Sequence, residues 1–473
     1  MIPESHRFPD RAGLALADEG LRLALDRARQ GFIGNRRKAV DALPEFQELR
    51  EAARRVKNHT LANLDLYLER FESQATAAGG QVHWAADAAE ARARILAICR
   101  EAGARTVTKG KSMVGEEVGL NEALEEADLE VVETDLGEYI IQLAGETPSH
   151  IVAPAIHKTR EQIRDLFAEH HAPLGLGAPG LGNAELVARA REVLRREFLR
   201  ADVGITGANF LIAESGSTVI VTNEGNGDLS NTLPRVHVVI AGIEKVLPGF
   251  EDLSTVLRLL ARSATGQEMS VYTTVSTGPR RGEDLDGPEE FHVVLVDNGR
   301  SAMLGGEFRE MLRCIRCGAC LNHCPVYHAV GGHAYGWVYT GPMGSVLTPL
   351  IVGLDKAHHL PNACTLNGRC EQVCPMSIPL PTMLRKLRTR GFERGFGTRT
   401  SRMGLAAWGF LARRPAVYGS ATRVAMGILG WLGRRRGAFR RLPLAGGWTG
   451  VRDLPAPEGE TFQRAWRRRG ARR

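Results

Sequence analysis

Polar and apolar positions divide the chain into three regimes. Residues 1 to 75 carry a helical period. Leu21, Leu23, Ala24, Leu25 and Ala28 share one face, and Leu61, Leu64, Leu66, Leu68 and Phe71 resume it after Asn58-His59-Thr60. Gly79-Gly80 breaks the period, and short β-rich runs then alternate with helical ones. Strands are predicted at Gln81–Trp84, Thr106–Thr108, Glu130–Glu133, Ile151–Ala153, Val203–Ile205, Val219–Val221, Val236–Ile240 and Phe291–Val296. Helices are predicted between them, notably Ala88–Ala102 and Asn121–Ala127. That alternation predicts an α/β domain with a largely parallel sheet over residues 76–300.

A third regime follows. Glu307–Leu312 predicts a short helix, then Gly- and Pro-punctuated segments fill residues 301–390. In residues 391–473, after the basic helix Met383–Arg390, two apolar stretches stand among arginines, Met403–Leu411 and Val424–Leu432. They suit interfacial amphipathic helices or a packed helical hairpin. No run of eighteen apolar residues occurs, so no membrane-spanning helix is expected. The start, Met1-Ile-Pro-Glu-Ser-His-Arg7, lacks a signal-peptide core, and a cytoplasmic protein is expected.

Charge sharpens the third regime. The net charge is +7, but residues 381–473 hold 22 Lys and Arg against 4 Asp and Glu, an excess of +18 that leaves −11 on the remainder. A basic tail on an acidic body suits an acidic partner or an anionic membrane face. No nucleic-acid reading motif accompanies it.

Chemistry concentrates in the cysteines. Seven of eight lie between 314 and 374, in two blocks that each end in Cys-Pro. Cys314, Cys317, Cys320 and Cys324 follow the C-x2-C-x2-C-x3-C-P run that binds [4Fe–4S] clusters. The second block, Cys364, Cys370 and Cys374, repeats the first with Asn367 in place of one cysteine. Zinc knuckles would favour paired CxxC without the fourth cysteine and its proline. In two-cluster ferredoxins the fourth cysteine of each run serves the other cluster. Two clusters then follow. The first, [4Fe–4S], takes Cys314, Cys317, Cys320 and Cys374. The second takes Cys364, Cys370 and Cys324 and is [3Fe–4S] or [4Fe–4S]. A single cluster with a structural second block remains the alternative. Cys99, in a helical apolar pattern, reads as a core thiol. His333, Tyr335 and Tyr339 between the blocks read as an aromatic-lined connector or as cluster-tuning donors.

The α/β region has polar turns beside its strands: Lys109-Gly-Lys111-Ser112, Gly204–Asn209, Glu214–Ser217 and Thr222–Gly227. Lys109 and Lys111 suit an anion, and Glu224 suits an acid, base or nucleophile. None matches a GxGxxG or P-loop fingerprint.

Longer runs carry a resemblance. Thr134–Ile141, Pro148–His157, Asp202–Asn209, Thr222–Asn226, Gly287–His292, Val296–Arg300 and Cys314–Cys320 are similar to the lactate-utilisation protein B family, iron–sulfur subunits of the bacterial LutABC L-lactate oxidation system. The resemblance implies an α/β LUD domain of NagB/RpiA/CoA-transferase-like fold, an α-helical ferredoxin-type two-cluster domain and a basic helical C-terminal tail. It also implies partners, a LutA-like cysteine-rich subunit and a LutC-like LUD subunit, and no settled catalytic residue. One departure stands out: many relatives place cysteine at the position of Asn367 and serine at that of Cys364. The expected role is electron transfer in oxidation of L-lactate to pyruvate. The alternatives are a transferase-type LUD enzyme working through Glu224 and Lys111, and a docking subunit.

Overall fold

The computed structural model describes residues 3–176, 182–443, 445–450 and 452–470. Two compact units divide at Gly391/Phe392. The strands of the first unit are β1 (Gln81–Ala85), β2 (Thr106–Lys109), β3 (Glu130–Glu133), β4 (Val203–Gly207), β5 (Phe210–Ile212), β6 (Ser217–Thr222), β7 (Val236–Gly242), β8 (Val246–Leu247), β9 (Tyr272–Ser276) and β10 (Glu290–Val296).

Six of them form one sheet in the order β1-β10-β7-β4-β2-β3, and every neighbouring pair is parallel. A parallel sheet covered on both faces needs near-continuous apolar strands. β7 and β10 supply them. Val238, Ile240, Val294 and Val296 pack on one face with Ile95, Ile98 and Cys99. Val239, Ala241, Val293 and Leu295 pack on the other with Leu68, Phe71 and Ala75. The period-2 side-chain alternation thus feeds two cores. Cys99 is a buried core thiol, as expected, and its burial pushes the pKa to about 12. A second sheet, β8-β5-β6-β9, carries the loops after β4 and β6.

Ile151–Ala153 is not a strand. The His150 ring nitrogen Nδ1 accepts from the backbone N–H groups of Val152 and Ala153, both at 3.0 Å, and curls the segment into a bend. That bend seats the cysteine-rich module. Tyr327 donates its hydroxyl to Ser149 O at 2.9 Å, and His150 Nε2 pairs with Asn322 Oδ1 at 3.0 Å. Gly332 lies so close that a Cβ there would stand 1.7 Å from Ser149 O. The N-terminal helices Glu19–Asp41 and Phe46–Ala62 brace the module from another side. Arg36 donates to Val373 O at 2.9 Å, and Arg50 to Cys374 O at 2.7 Å.

The segment before Cys314 is a 3-10 turn, Arg309–Arg313, shorter and later than the expected helix. The second unit holds helices Arg399–Ala412 and Pro415–Gly433, a two-residue strand pair, and a helix at Phe462–Gly470 where little periodicity was legible. Met403, Trp408, Trp431 and Trp466 are 60 % or more exposed. Among the described residues no helix is long and apolar enough to cross a membrane.

Candidate functional site

The two cysteine blocks share one backbone path. Arg316 and Leu366, at matching positions, both take positive φ, 60° and 55°. Gly318 and Gly368 follow at 75° and 80° and begin short helices, Ala319–Asn322 and Arg369–Val373. A left-handed Arg or Leu costs roughly 1–2 kcal/mol, so the shared turn must be held by its surroundings.

The thiols gather in two groups that cross between blocks. Cys314, Cys317, Cys320 and Cys374 line one small cavity with Ile151, Met311 and Met343. Burial pushes Cys317 up to about 12, and the nearby Cys374 thiolate adds to the rise. Cys320 is driven well above its ordinary range by burial, then by Cys314, Cys317 and Cys374. In the other group, burial raises Cys370 to about 12, followed by the charges of Cys364 and Cys324. Cys324 rises to about 11, through burial and the Cys364 charge, while N–H donors and the Tyr335 hydroxyl pull it back. Buried thiols that repel one another are satisfied when metal deprotonates them.

The donor set is all sulfur, which suits soft iron in a cluster. Among the described residues no three cysteine sulfurs lie within 4.8 Å of one another. Backbone N–H groups already point at sulfur: Tyr327 at Cys324 (3.4 Å), Leu366 at Cys364 (3.3 Å) and Ile378 at Cys374 (3.5 Å). Asn367 is exposed, and its Oδ1 accepts from Arg369 N at 3.1 Å. Of the connector residues, Tyr335 lowers the Cys324 pKa against the effect of burial. Tyr339 donates to Glu117 and His333 bonds Thr147 O, so neither touches a cysteine.

A buried ion network backs the first group. Arg300 meets Glu117 through both terminal nitrogens at 2.8 Å and Glu244 at 2.6 Å. Glu244 also pairs with Arg316 at 3.4 Å, whose guanidinium lies 4.8 Å over the Tyr339 ring. The flanking cations hold Glu244 at about 2 against the opposing effect of burial.

The polar turns of the sheet divide. Lys109 is no anion ligand. It is fully buried and paired with Glu116 at 2.9 Å and Glu133 at 2.5 Å, because its side chain turns into the core beside β3. Glu214 is structural, accepting from Phe250 N at 2.8 Å at a helix start. Lys111, Asn209, Glu224 and Asn226 do converge, on a cavity of about 230 Å³ that Arg316 and Cys317 also line. Glu224 is exposed at this cavity, and Lys111 donates to Val152 O at 2.8 Å. Lys245 joins them, a residue that sequence reasoning passed over. Its place just after the apolar strand β7 was the available signal, since open α/β sheets hold ligands beyond their carboxyl strand ends.

Comparison with known proteins agrees with this architecture. Residues 68–296 match the LUD domain model, 310–378 the 4Fe-4S dicluster domain, and 384–471 the lactate utilisation protein B C-terminal model. A lactate utilization protein B of Lysinibacillus sphaericus is 44% identical, covering 98% of this chain and 97% of its own length. An uncharacterized electron transport protein of Escherichia coli K12, YkgF, is 40% identical over 97% of this chain and 96% of its own. The crystal structure of a DUF162 family protein from Deinococcus radiodurans is 17% identical, with a TM-score of 0.25, over 49% of this chain and 98% of that one. With a LUD domain, an iron–sulfur dicluster domain and near-full-length relatives at this identity, the chain belongs to the lactate utilisation protein B family.

Proposed function

We propose that this chain is the iron–sulfur electron-transfer subunit of a multi-subunit system that oxidises L-lactate to pyruvate. Its partners are a LutA-like cysteine-rich subunit and a LutC-like LUD subunit. The observation that carries the reading is the crossed pair of thiol groups on a duplicated backbone turn. Cys314, Cys317, Cys320 and Cys374 hold a [4Fe–4S] cluster; Cys324, Cys364 and Cys370 hold a second, [3Fe–4S] or [4Fe–4S]. Bound clusters supply one-electron redox chemistry, which suits dividing a two-electron oxidation.

The chain's own residues do the rest. Backbone N–H groups donate to sulfur and stabilise its negative charge, and the buried Tyr335 draws the Cys324 pKa down. Arg36, Arg50 and Arg313 add positive charge near Cys374. No flavin or nicotinamide fingerprint accompanies them. The C-terminal unit, with exposed Trp408, Trp431 and Trp466 among arginines, suits docking to an anionic membrane face.

The test is iron and sulfide analysis with EPR on anaerobically purified protein, before and after dithionite. Two distinct cluster signals are expected. About four irons and a single [4Fe–4S] signal would leave the second block structural. No iron at all would end the electron-transfer reading.

A further inference from the structure

His157 follows the bend that seats the cysteine-rich module, and His333 opens the 3-10 turn His333–Tyr335 between the two cysteine blocks. Remote in sequence, the two rings meet edge to face with centroids 4.4 Å apart. Each ring has one nitrogen facing an oxygen that only accepts. His333 Nε2 lies 2.7 Å from Thr147 O, and His157 Nε2 lies 2.7 Å from the carboxylate oxygen Glu146 Oε2. Nε2 therefore carries the proton in both rings, and Nδ1 keeps its lone pair. The His157 side chain is 9% exposed, and its Nδ1 is buried with no partner. Buried polar atoms are normally satisfied, so this lone pair is an unused ligand. One nitrogen of each ring and one Glu146 oxygen lie within 4.8 Å of one another. Lys158 holds the other carboxylate oxygen, Oε1, which fixes the orientation of Glu146.

We infer that His157 and His333 bind a divalent transition-metal ion of the zinc class through imidazole nitrogen, with Glu146 supplying negative charge beside them. Imidazole nitrogen favours such ions over calcium or magnesium, which take oxygen. The outer contacts suit the assignment. A metal-bound histidine normally donates its other N–H to a carboxylate or a backbone carbonyl, and here one ring does each. Burial, and then the His333 charge, holds His157 at about 4, so its ring is neutral and ready to ligate at neutral pH. No cysteine belongs to the group, which sets it apart from the thiol sites. Glu146 and His333 line an open cavity of about 420 Å³ together with Arg11 and Trp337. Water has access to an ion there and fills its remaining positions. Such an ion ties the bend of the sheet domain to the connector that carries Tyr335. The site does not depend on the electron-transfer reading, since none of its groups holds a cluster.

The experiment is isothermal titration of the anaerobically purified full-length protein, with its iron in place, against zinc chloride. Iron and zinc contents are measured alongside, and zinc K-edge X-ray absorption is recorded at one equivalent. One zinc per chain should bind at micromolar affinity or tighter, with nitrogen and oxygen neighbours only, at unchanged iron content. The thermal midpoint should rise with zinc concentration. His157→Gln and His333→Gln should each weaken binding tenfold or more, and Glu146→Gln several-fold. If His157→Gln loses iron, His333→Gln decides, because that ring touches no cysteine and is less buried. Zinc binding only at millimolar concentration overturns the inference. So does sulfur at ~2.3 Å in the absorption spectrum, which would put the ion among the cysteines. Wild-type affinity in His333→Gln overturns it as well.

Discussion

Asn367 occupies in the second cysteine block the position that Cys317 holds in the first, on a turn of the same handedness, but the two side chains part ways. Cys317 is 9% exposed and lines the first thiol cavity. Asn367 is exposed, and its Oδ1 accepts the Arg369 backbone N–H. The amide serves its own turn, which leaves the second group of thiols one donor short.

Asn367→Cys should therefore complete the second site. Iron should rise from about seven to about eight per chain, and an oxidised [3Fe–4S]-type EPR signal should give way to a second [4Fe–4S] signal on reduction. An unchanged spectrum in a folded variant would show that position 367 does not face the metal.

Crossed assignment separates the two prolyl-flanked cysteines. Cys374→Ser should remove the cluster of Cys314, Cys317 and Cys320, although it lies in the other block. Cys324→Ser should instead strip the second site. Iron analysis and EPR on each variant read this directly, and loss of the cluster nearest in sequence would reverse the assignment.

Arg300→Leu should destabilise the first unit by about 3–5 kcal/mol, because Glu117 and Glu244 are left as buried carboxylates without their shared partner. A thermal melt checks it. A shift of only a degree or two would mean that Arg316 and Tyr339 suffice for both acids.

His237 and His150 set an acid limit. His237 Nε2 lies 2.8 Å from Thr206 Oγ1, and burial holds its pKa at about 3 against an ordinary 6.5. His150 is also held at about 3 by burial, and its Nδ1 must stay unprotonated to accept two backbone N–H groups. Below pH 6.5 the unfolded chain binds protons that the folded chain refuses. Stability is full above that pH and falls as pH drops toward 3. Urea midpoints at pH 7 and pH 5 should differ, and His237→Gln should narrow the gap. Equal midpoints in the parent protein would refute the linkage.

Trp408→Glu combined with Trp431→Glu should abolish flotation of the protein with vesicles containing anionic lipid, at unchanged iron content. Binding by the parent should weaken with salt and vanish on neutral vesicles. Binding that ignores lipid charge would exclude the arginines from the contact.

The strands β7 and β10 were legible because a sheet covered on both faces demands uninterrupted apolar residues. The cysteine blocks were legible because cluster ligation fixes spacing along the chain. Ile151–Ala153 misled because three apolar residues fit a strand or a bend equally, and a ring nitrogen two residues away decided it. Lys109 misled for a related reason: periodicity places a side chain on an element but cannot say whether it meets water or two glutamates. Lys245 was passed over because its place just after β7 was the one local signal, and its neighbours in the cavity, Lys111 and Arg316, are remote in sequence and converge only in three dimensions.

Cys374 lies in the cavity of Cys314, Cys317 and Cys320, while Cys324 keeps company with Cys364 and Cys370. Each inorganic core would then act as a rivet through two distant stretches of chain, closing long loops that an empty polypeptide would leave free to fluctuate. Damage cannot stay local in such an arrangement. An oxidant that dismantled either core would loosen both stretches, and repair would have to rebuild the module as a whole.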